Sequence, residues 1–152
     1  MSDVKIRKAQ KNDAPAIIKF NQQMARETEN KTLDPEKITS GVNAVFQDPA
    51  KGFYLIAEKD NRPAGCLLIT REWSDWRNAY FWWIQSVYVT RQNRRQGIYK
   101  ALHKKVREIA RSSDEKVVGF RLYVEKNNKI AQKTYKNIGM HTTYYKMFEE
   151  LA

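Results

Sequence analysis

The chain has 152 residues, enough for one domain with a real core and too few for two. With 41% hydrophobic and 12% aromatic residues it has the apolar content to fold, and no apolar run approaches the roughly 20 residues of a membrane span. A net charge of +11 leaves three readings open: a nucleic-acid footprint, affinity for an anionic cofactor, or solvated faces that keep the protein in solution.

Met1-Ser2-Asp3-Val4-Lys5-Ile6 lacks the apolar core of a signal peptide and runs into a strand pattern from Val4 to Lys8, so a cytoplasmic location is expected. Asn12-Asp13-Ala14-Pro15 then combines capping residues with a first-turn proline. Ile17, Phe20 and Met24 follow at helical spacing, which predicts a helix to about Glu29. Asp34-Pro35-Glu36 opens a second helix with Ile38, Val42 and Val45 on its buried side. Gly52 to Glu58 and Ala64 to Glu72 read as strands around a turn at Lys59-Asp60-Asn61-Arg62-Pro63. In the first of them, Phe53, Leu55 and Ala57 alternate as the inward positions. Ala79 to Val89 is a long aromatic and β-branched strand. A helix from Gly97 to Ser112 places Ile98, Leu102, Val106 and Ile109 along one side. Val117 to Val124 is the next strand, Asn128 to Asn137 the next helix, and Thr142 to Phe148 a closing strand.

That order, β-α-α-β-β-β-α-β-α-β, predicts hairpins in the first half and a parallel pair with a helical crossover in the second. The expected fold is α/β, a mixed and mostly antiparallel sheet flanked by about four helices, in a single domain spanning 1–152. The lone cysteine, Cys66, reads as a buried strand residue rather than a nucleophile and permits no intramolecular disulfide. Neither His103 nor His141 falls in a metal-ligand cluster, and no metal is expected.

Chemistry concentrates between Val87 and Met140. Val87-Tyr88-Val89 ends a strand, and Arg94-Arg95-Gln96-Gly97-Ile98 is a basic glycine turn opening a helix. Such a turn offers backbone N–H groups, positive charge and a helix dipole to a pyrophosphate, with no Cβ at Gly97 to hold it off. Arg91, Arg94, Arg95, Lys100, Lys104, Lys105, Arg107 and Arg111 cluster around this helix. For most of them a solvated face is as good a reading, whereas Arg94 and Arg95 sit where the turn would meet phosphate. Asn128, Ala131 and Tyr135 share one face of the following helix, two polar residues with a gap between them. The bland account of Tyr135 is a core aromatic; the functional one is a phenol that protonates a leaving group.

Over nearly its full length the chain resembles a GCN5-related N-acetyltransferase (GNAT). The family's carrier signature, Gln/Arg-x-x-Gly-x-Gly/Ala, is similar to Arg94-Arg95-Gln96-Gly97-Ile98-Tyr99, with Tyr99 in place of the small residue. The family's Asn-x-x-Ala-x-x-x-Tyr-x-x-x-Gly-Phe is matched by Asn128, Ala131, Tyr135 and Gly139, with Met140 in place of Phe. The resemblance implies acetyl-CoA as donor, bound by main-chain groups of Val87, Tyr88 and Val89 along the pantetheine arm. Amides from Arg95 through Gln96, Gly97, Ile98 and Tyr99 to Lys100 would cradle the pyrophosphate. It also implies that Asn128 binds the carrier's arm, that Tyr135 is the general acid at the thioester sulfur, and that the protein is a homodimer.

The acceptor side is less defined. Of Glu27 and Glu29 at the end of the first helix, at most one faces an acceptor, and an exposed acidic helix end is an equal reading. Gln85 stands where some polyamine-acetylating relatives carry an acid, and a glutamine is no base. All four tryptophans lie between Trp73 and Trp83; packing or a dimer interface accounts for most of that run. An aromatic wall in which Glu72, Asp75 and Trp83 hold a cationic amine is the functional account. The expected activity is N-acetylation of a small primary amine such as a polyamine, a diamine or an amino acid side chain. The rivals are acetylation of a protein lysine or an aminoacyl-tRNA, and a non-catalytic nucleic-acid-binding module.

Overall fold

Runs of β-branched and aromatic residues form five strands in the computed structural model, which describes residues 3–152. In chain order the elements are β1 (Val4–Lys8), α1 (Ala14–Glu29), α2 (Pro35–Gln47), β2 (Phe53–Lys59), β3 (Arg62–Ser74), β4 (Ala79–Val89), α3 (Ile98–Ser112), β5 (Val117–Arg121) and α4 (Lys129–Asn137). Short 3-10 turns occupy Lys11–Asp13, Pro49–Lys51 and Arg91–Asn93. Helix starts follow the local chemistry: Asp34 caps α2 by accepting from Glu36 N at 2.9 Å, and Pro35 takes its first position. Entry into α1 is fixed by Asp13, whose carboxylate accepts two bonds from Arg7 at 2.7 and 2.9 Å and one from the Gln10 amide at 2.7 Å. Those bonds hold the Asp13 carboxyl below the usual carboxylate range.

The sheet runs β1-β2-β3-β4-β5, antiparallel except for the parallel β4–β5 pair that α3 connects. One face carries Leu55, Leu67, Ile69, Trp82 and Ile84 under Ile98, Leu102 and Val106 of α3. The other carries Tyr54, Ile56, Cys66 and Tyr88 under Ile17 and Phe20 of α1 and Val42 of α2. Alternation along β2 therefore sorts side chains between two cores: Tyr54, Leu55, Ile56 and Ala57 are all buried, where the sequence pattern suggested one inward face. Burial pushes the Cys66 thiol up to about 12, and its Sγ lies 3.8 Å from the Ser86 carbonyl, so it is a packed strand residue and no nucleophile.

The chain divides into two compact units between Leu122 and Tyr123. The first holds the sheet with α1, α2 and α3; the second holds α4 and the segment after it. The closing strand expected from Thr142 to Phe148 is absent, since that segment has no strand structure and Tyr144 and Phe148 are 89% and 92% exposed. Its alternating aromatics satisfy β-propensity, yet a strand exists only where a ladder partner accepts its backbone groups. Strand β5 likewise stops at Arg121, short of the expected Val124. No helix among the described residues is long and apolar enough to cross a membrane.

Candidate functional site

The two halves of β4 differ in what borders them. From Tyr80 to Trp83 the strand pairs with β3 on one side and β5 on the other, ending at the Trp83–Arg121 pair. Beyond Trp83, among the described residues, β3 is the one strand that continues alongside. The β3 register jumps there: Cys66 faces Tyr88 while Leu68 faces Gln85, so Ser86 and Val87 stand opposite Leu67 alone. That is a β-bulge, and Ser86 adopts φ +50° to make it. The Thr90 amide donates to Ala64 O at 2.9 Å, so alternation turns the main-chain groups of Val89 to the opposite, open edge. Nothing in the sequence marks this bulge, because the residue that makes it is a serine rather than a glycine.

The open edge leads into the basic turn. Arg95 has φ +63° and Gly97 φ +79°, two left-handed residues flanking Gln96, a backbone shape that turns successive N–H groups into one concavity. Gly97 is the N-cap of α3, no side chain caps that helix, and the first-turn N–H groups of any helix lack intrahelical acceptors. A Cβ placed on Gly97 would meet nothing within 4 Å. Glycine is needed there for its φ, and the space in front of the turn is open. The Gln96 side chain is tied down by Lys59 Nζ and donates to Gln92 O at 3.1 Å. Arg95 and Lys100 are exposed and form no ion pair among the described residues. Tyr99, the bulky residue of the turn motif, lays its ring along α3 toward His103, hydroxyl 3.3 Å from Nδ1, one turn away from Gly97. Burial, and then Arg107, pushes His103 down to about 4, so it is neutral.

Arg94 differs from its neighbour. Its Nε donates to Val89 O at 2.9 Å, its guanidinium donates to Glu27 Oε1 at 2.8 Å, and it lies 5.4 Å from the Tyr88 ring centre. Glu27 Oε2 accepts from the Tyr88 hydroxyl, and Arg91 adds a longer contact of 3.4 Å. The Tyr88 bond, with Arg94 next, holds the Glu27 carboxyl below the usual range, whereas burial and Glu27 push the Tyr88 phenol up to about 12. Beside this cluster, α1 and the end of β4 enclose a cleft of about 520 Å³ with Lys19, Gln23 and Arg26 on its wall.

Further back on β4, Trp83 Nε1 donates to Glu72 Oε1 at 2.7 Å, and Arg121 donates to both Glu72 oxygens at 3.1 and 3.2 Å. Gln85 Nε2 donates to Thr70 Oγ1. The structure thus gathers three of the acceptor candidates, Glu72, Trp83 and Gln85, on the face of β3 and β4 opposite Trp82 and Ile84. It adds Arg121, whose guanidinium lies 3.5 Å from the Phe81 ring centre. The sequence carried no signal for Arg121, since its partner is 49 residues away. Asp75 does not join them; it sits in the β3–β4 turn and accepts from the Trp76 amide at 2.9 Å. Glu29 is exposed and pairs with Lys31 at 3.6 Å.

In the second unit, Asn128 caps α4 through Oδ1, which accepts from Ala131 N at 3.1 Å. Ala131 and Tyr135 follow on the same helix face. Burial holds the Tyr135 phenol above its ordinary value, so it stays protonated through neutral pH. Among the described residues no group of three or more His, Cys, Asp or Glu could hold a metal ion.

A family model described as the acetyltransferase (GNAT) family matches residues 15–140. A solved structure, a possible acetyltransferase from Clostridium difficile 630, is 41% identical and superposes with a TM-score of 0.90 over 98% of this chain and 97% of its own. Two more distant structures share the fold. A "predicted acetyltransferase with acetyl-CoA" from Clostridium acetobutylicum has 18% identity and TM-score 0.80, over 97% of this chain and 96% of its own. The ribosomal-protein-alanine N-acetyltransferase of Brucella melitensis biovar Abortus 2308 has 17% identity and TM-score 0.79, over 99% and 100%. No curated protein sequence matches the chain.

Proposed function

The chain belongs to the GNAT family of acetyl-CoA-dependent acetyltransferases, and we propose that its acceptor is a primary amine of a small molecule: a polyamine, a diamine or an amino acid side chain. The reading takes residues 1–152 as one catalytic domain, in keeping with a family match that runs across both units. One observation supports the donor side above all: the open edge of β4 beyond Trp83 runs into a glycine turn and an uncapped helix start. An extended arm can hydrogen-bond to that edge, and a pyrophosphate can take the N–H groups and the unpaired charges of Arg95 and Lys100.

Acetyl-CoA supplies an acetyl group activated as a thioester. The amine nitrogen forms the new bond to the acetyl carbon and gives up a proton to water, the carbon–sulfur bond breaks, and the departing sulfur takes a proton. Tyr135 is assigned that proton, because its raised pKa keeps it in the acid form. The amine must arrive unprotonated or lose its proton through water, since Gln85 is no base and the Glu27 carboxylate is already engaged. Glu72, Trp83 and Gln85 are the proposed acceptor contacts, the Trp83 face and a Glu72 carboxylate that an amine would share with Arg121. A macromolecular amine is the second reading, favoured by Lys100, Lys104 and Arg111 exposed along α3.

The test is release of CoA thiol from acetyl-CoA against polyamines, diamines, amino acids, lysine peptides and aminoacyl-tRNA, with Tyr135→Phe in parallel. Turnover with a small amine is expected, kcat falling about 100-fold or more in the variant. The alkaline limb of the wild-type profile should lie above the ordinary phenol value, because activity is lost only as pH rises through the raised pKa. Turnover confined to peptides or tRNA would replace the small-amine reading. An unchanged kcat in the variant would remove Tyr135 from its role.

A further inference from the structure

Glu27 looks from sequence like an acceptor contact, yet its geometry serves the other substrate. Both carboxylate oxygens are engaged: Oε2 by the Tyr88 hydroxyl, Oε1 by Arg94 at 2.8 Å and by Arg91 at 3.4 Å. A carboxylate with both oxygens engaged and its pKa held down is a poor proton acceptor at neutral pH. It is well suited to holding something else still.

What it holds is the start of the phosphate turn. Arg94 is fixed at three points: the Val89 carbonyl, the Glu27 carboxylate and the face of Tyr88. The next residue, Arg95, enters the left-handed region, and Gly97 does so two residues later. A left-handed non-glycine residue costs about 1–2 kcal/mol and persists only where its surroundings determine it. The Arg94 clasp supplies that determination on the β4 side of the turn. Its guanidinium thus binds its own chain, and of the two adjacent arginines the one left to meet an anion is Arg95.

We propose that Glu27 is a positioning residue for donor binding: through Arg94 and Tyr88 it anchors the end of β4 and α1 to the turn, so that the amides from Arg95 to Lys100 are set before acetyl-CoA arrives. The proposal rests on the acetyl-CoA reading. It assigns α1 a part in holding the donor, separate from any contact with the amine.

The experiment is calorimetric titration of acetyl-CoA into wild type, Glu27→Gln, Arg94→Gln and the double variant, with steady-state kinetics on the best small amine. Glutamine keeps an acceptor for Tyr88 and removes the charge that grips Arg94. For Glu27→Gln, Kd and KM for acetyl-CoA should rise about tenfold, the scale of one charge-assisted contact, with kcat and the amine KM within about twofold. The double variant should bind no more weakly than Arg94→Gln alone, because both changes break one link. Thermal melting confirms that each variant folds, and Tyr88→Phe gives an independent, smaller rise in Kd should Glu27→Gln not fold. Unchanged donor affinity in Glu27→Gln overturns the proposal, as does additivity in the double variant. So does a collapse of kcat with loss of the acid limb of the pH profile, which would make Glu27 the base. Failure of wild type itself to bind acetyl-CoA would sink the donor reading, and this inference with it.

Discussion

The two halves of β4 show how one strand serves two purposes. Its first half is flanked by β3 and β5 and sends Trp82 into the core, 1% exposed. Its second half has one strand neighbour among the described residues, a bulge at Ser86, and an end held by polar contacts to Glu27 and Arg94. Backbone groups on both edges of the first half are paired in the sheet, while in the second half β3 pairs one edge and Arg94 takes the Val89 carbonyl on the other. A fold that completed the β4–β5 ladder would gain hydrogen bonds and lose the edge proposed to take the donor. Substitutions in the first half should therefore act on stability, and those in the second on donor affinity.

Trp82→Ala should break the comparison from the structural side, with the largest effect. The ring is buried edge-to-face against Phe53 at 5.4 Å, and Nε1 donates to Glu115 at 2.9 Å. Removing it costs about 3–5 kcal/mol, a large part of the roughly 5–15 kcal/mol that holds such a domain together. Urea denaturation should show the midpoint falling accordingly. A loss under about 1 kcal/mol would mean that this half is no more essential than the open one.

Gly97→Ala tests the open half. No atom lies where the new methyl would sit, so packing is undisturbed, and the φ of +79° costs about 1–2 kcal/mol. Stability should fall by that modest amount, whereas on the proposed phosphate site the Kd for acetyl-CoA should rise at least about tenfold, since the methyl would enter the space proposed for phosphate. Calorimetry and denaturation on the same preparation separate the two effects. Donor affinity unchanged in Gly97→Ala would mean that phosphate does not sit on this turn.

Legibility in the sequence follows the same divide. The bounds of β1 and β4 follow from composition alone, because β-branched and aromatic runs between turn residues announce strands. Gly97 and the apolar side of α3 were equally plain. What depends on a distant partner was not. Glu27 is set by Tyr88 and Arg94, 61 and 67 residues away, and no local pattern joins them. Thr142 to Phe148 alternates like a strand, yet it has no strand structure. Propensity reports what a segment tolerates, and pairing decides what it becomes.

Ser86 marks the boundary between the halves and should give the smallest effect. Its φ of +50° is unfavourable for a serine by about 1 kcal/mol or more. Glycine removes that strain, but the unfolded chain then gains freedom worth about 0.5–1 kcal/mol. Ser86→Gly should therefore change stability by less than about 0.5 kcal/mol and leave donor affinity alone. The bulge is set by pairs on either side, Cys66 with Tyr88 and Leu68 with Gln85, and both remain. If the bulge depended instead on the serine side chain, the glycine variant could slip into regular pairing, which would reverse the facing of every side chain from Val87 onward. Tyr88 would then leave Glu27, and acetyl-CoA affinity would drop along with the Tyr88 contact. Matched denaturation midpoints together with an unchanged Kd would place the origin of the bulge in the ladder, and so make the open edge a property of sheet register rather than of any one side chain.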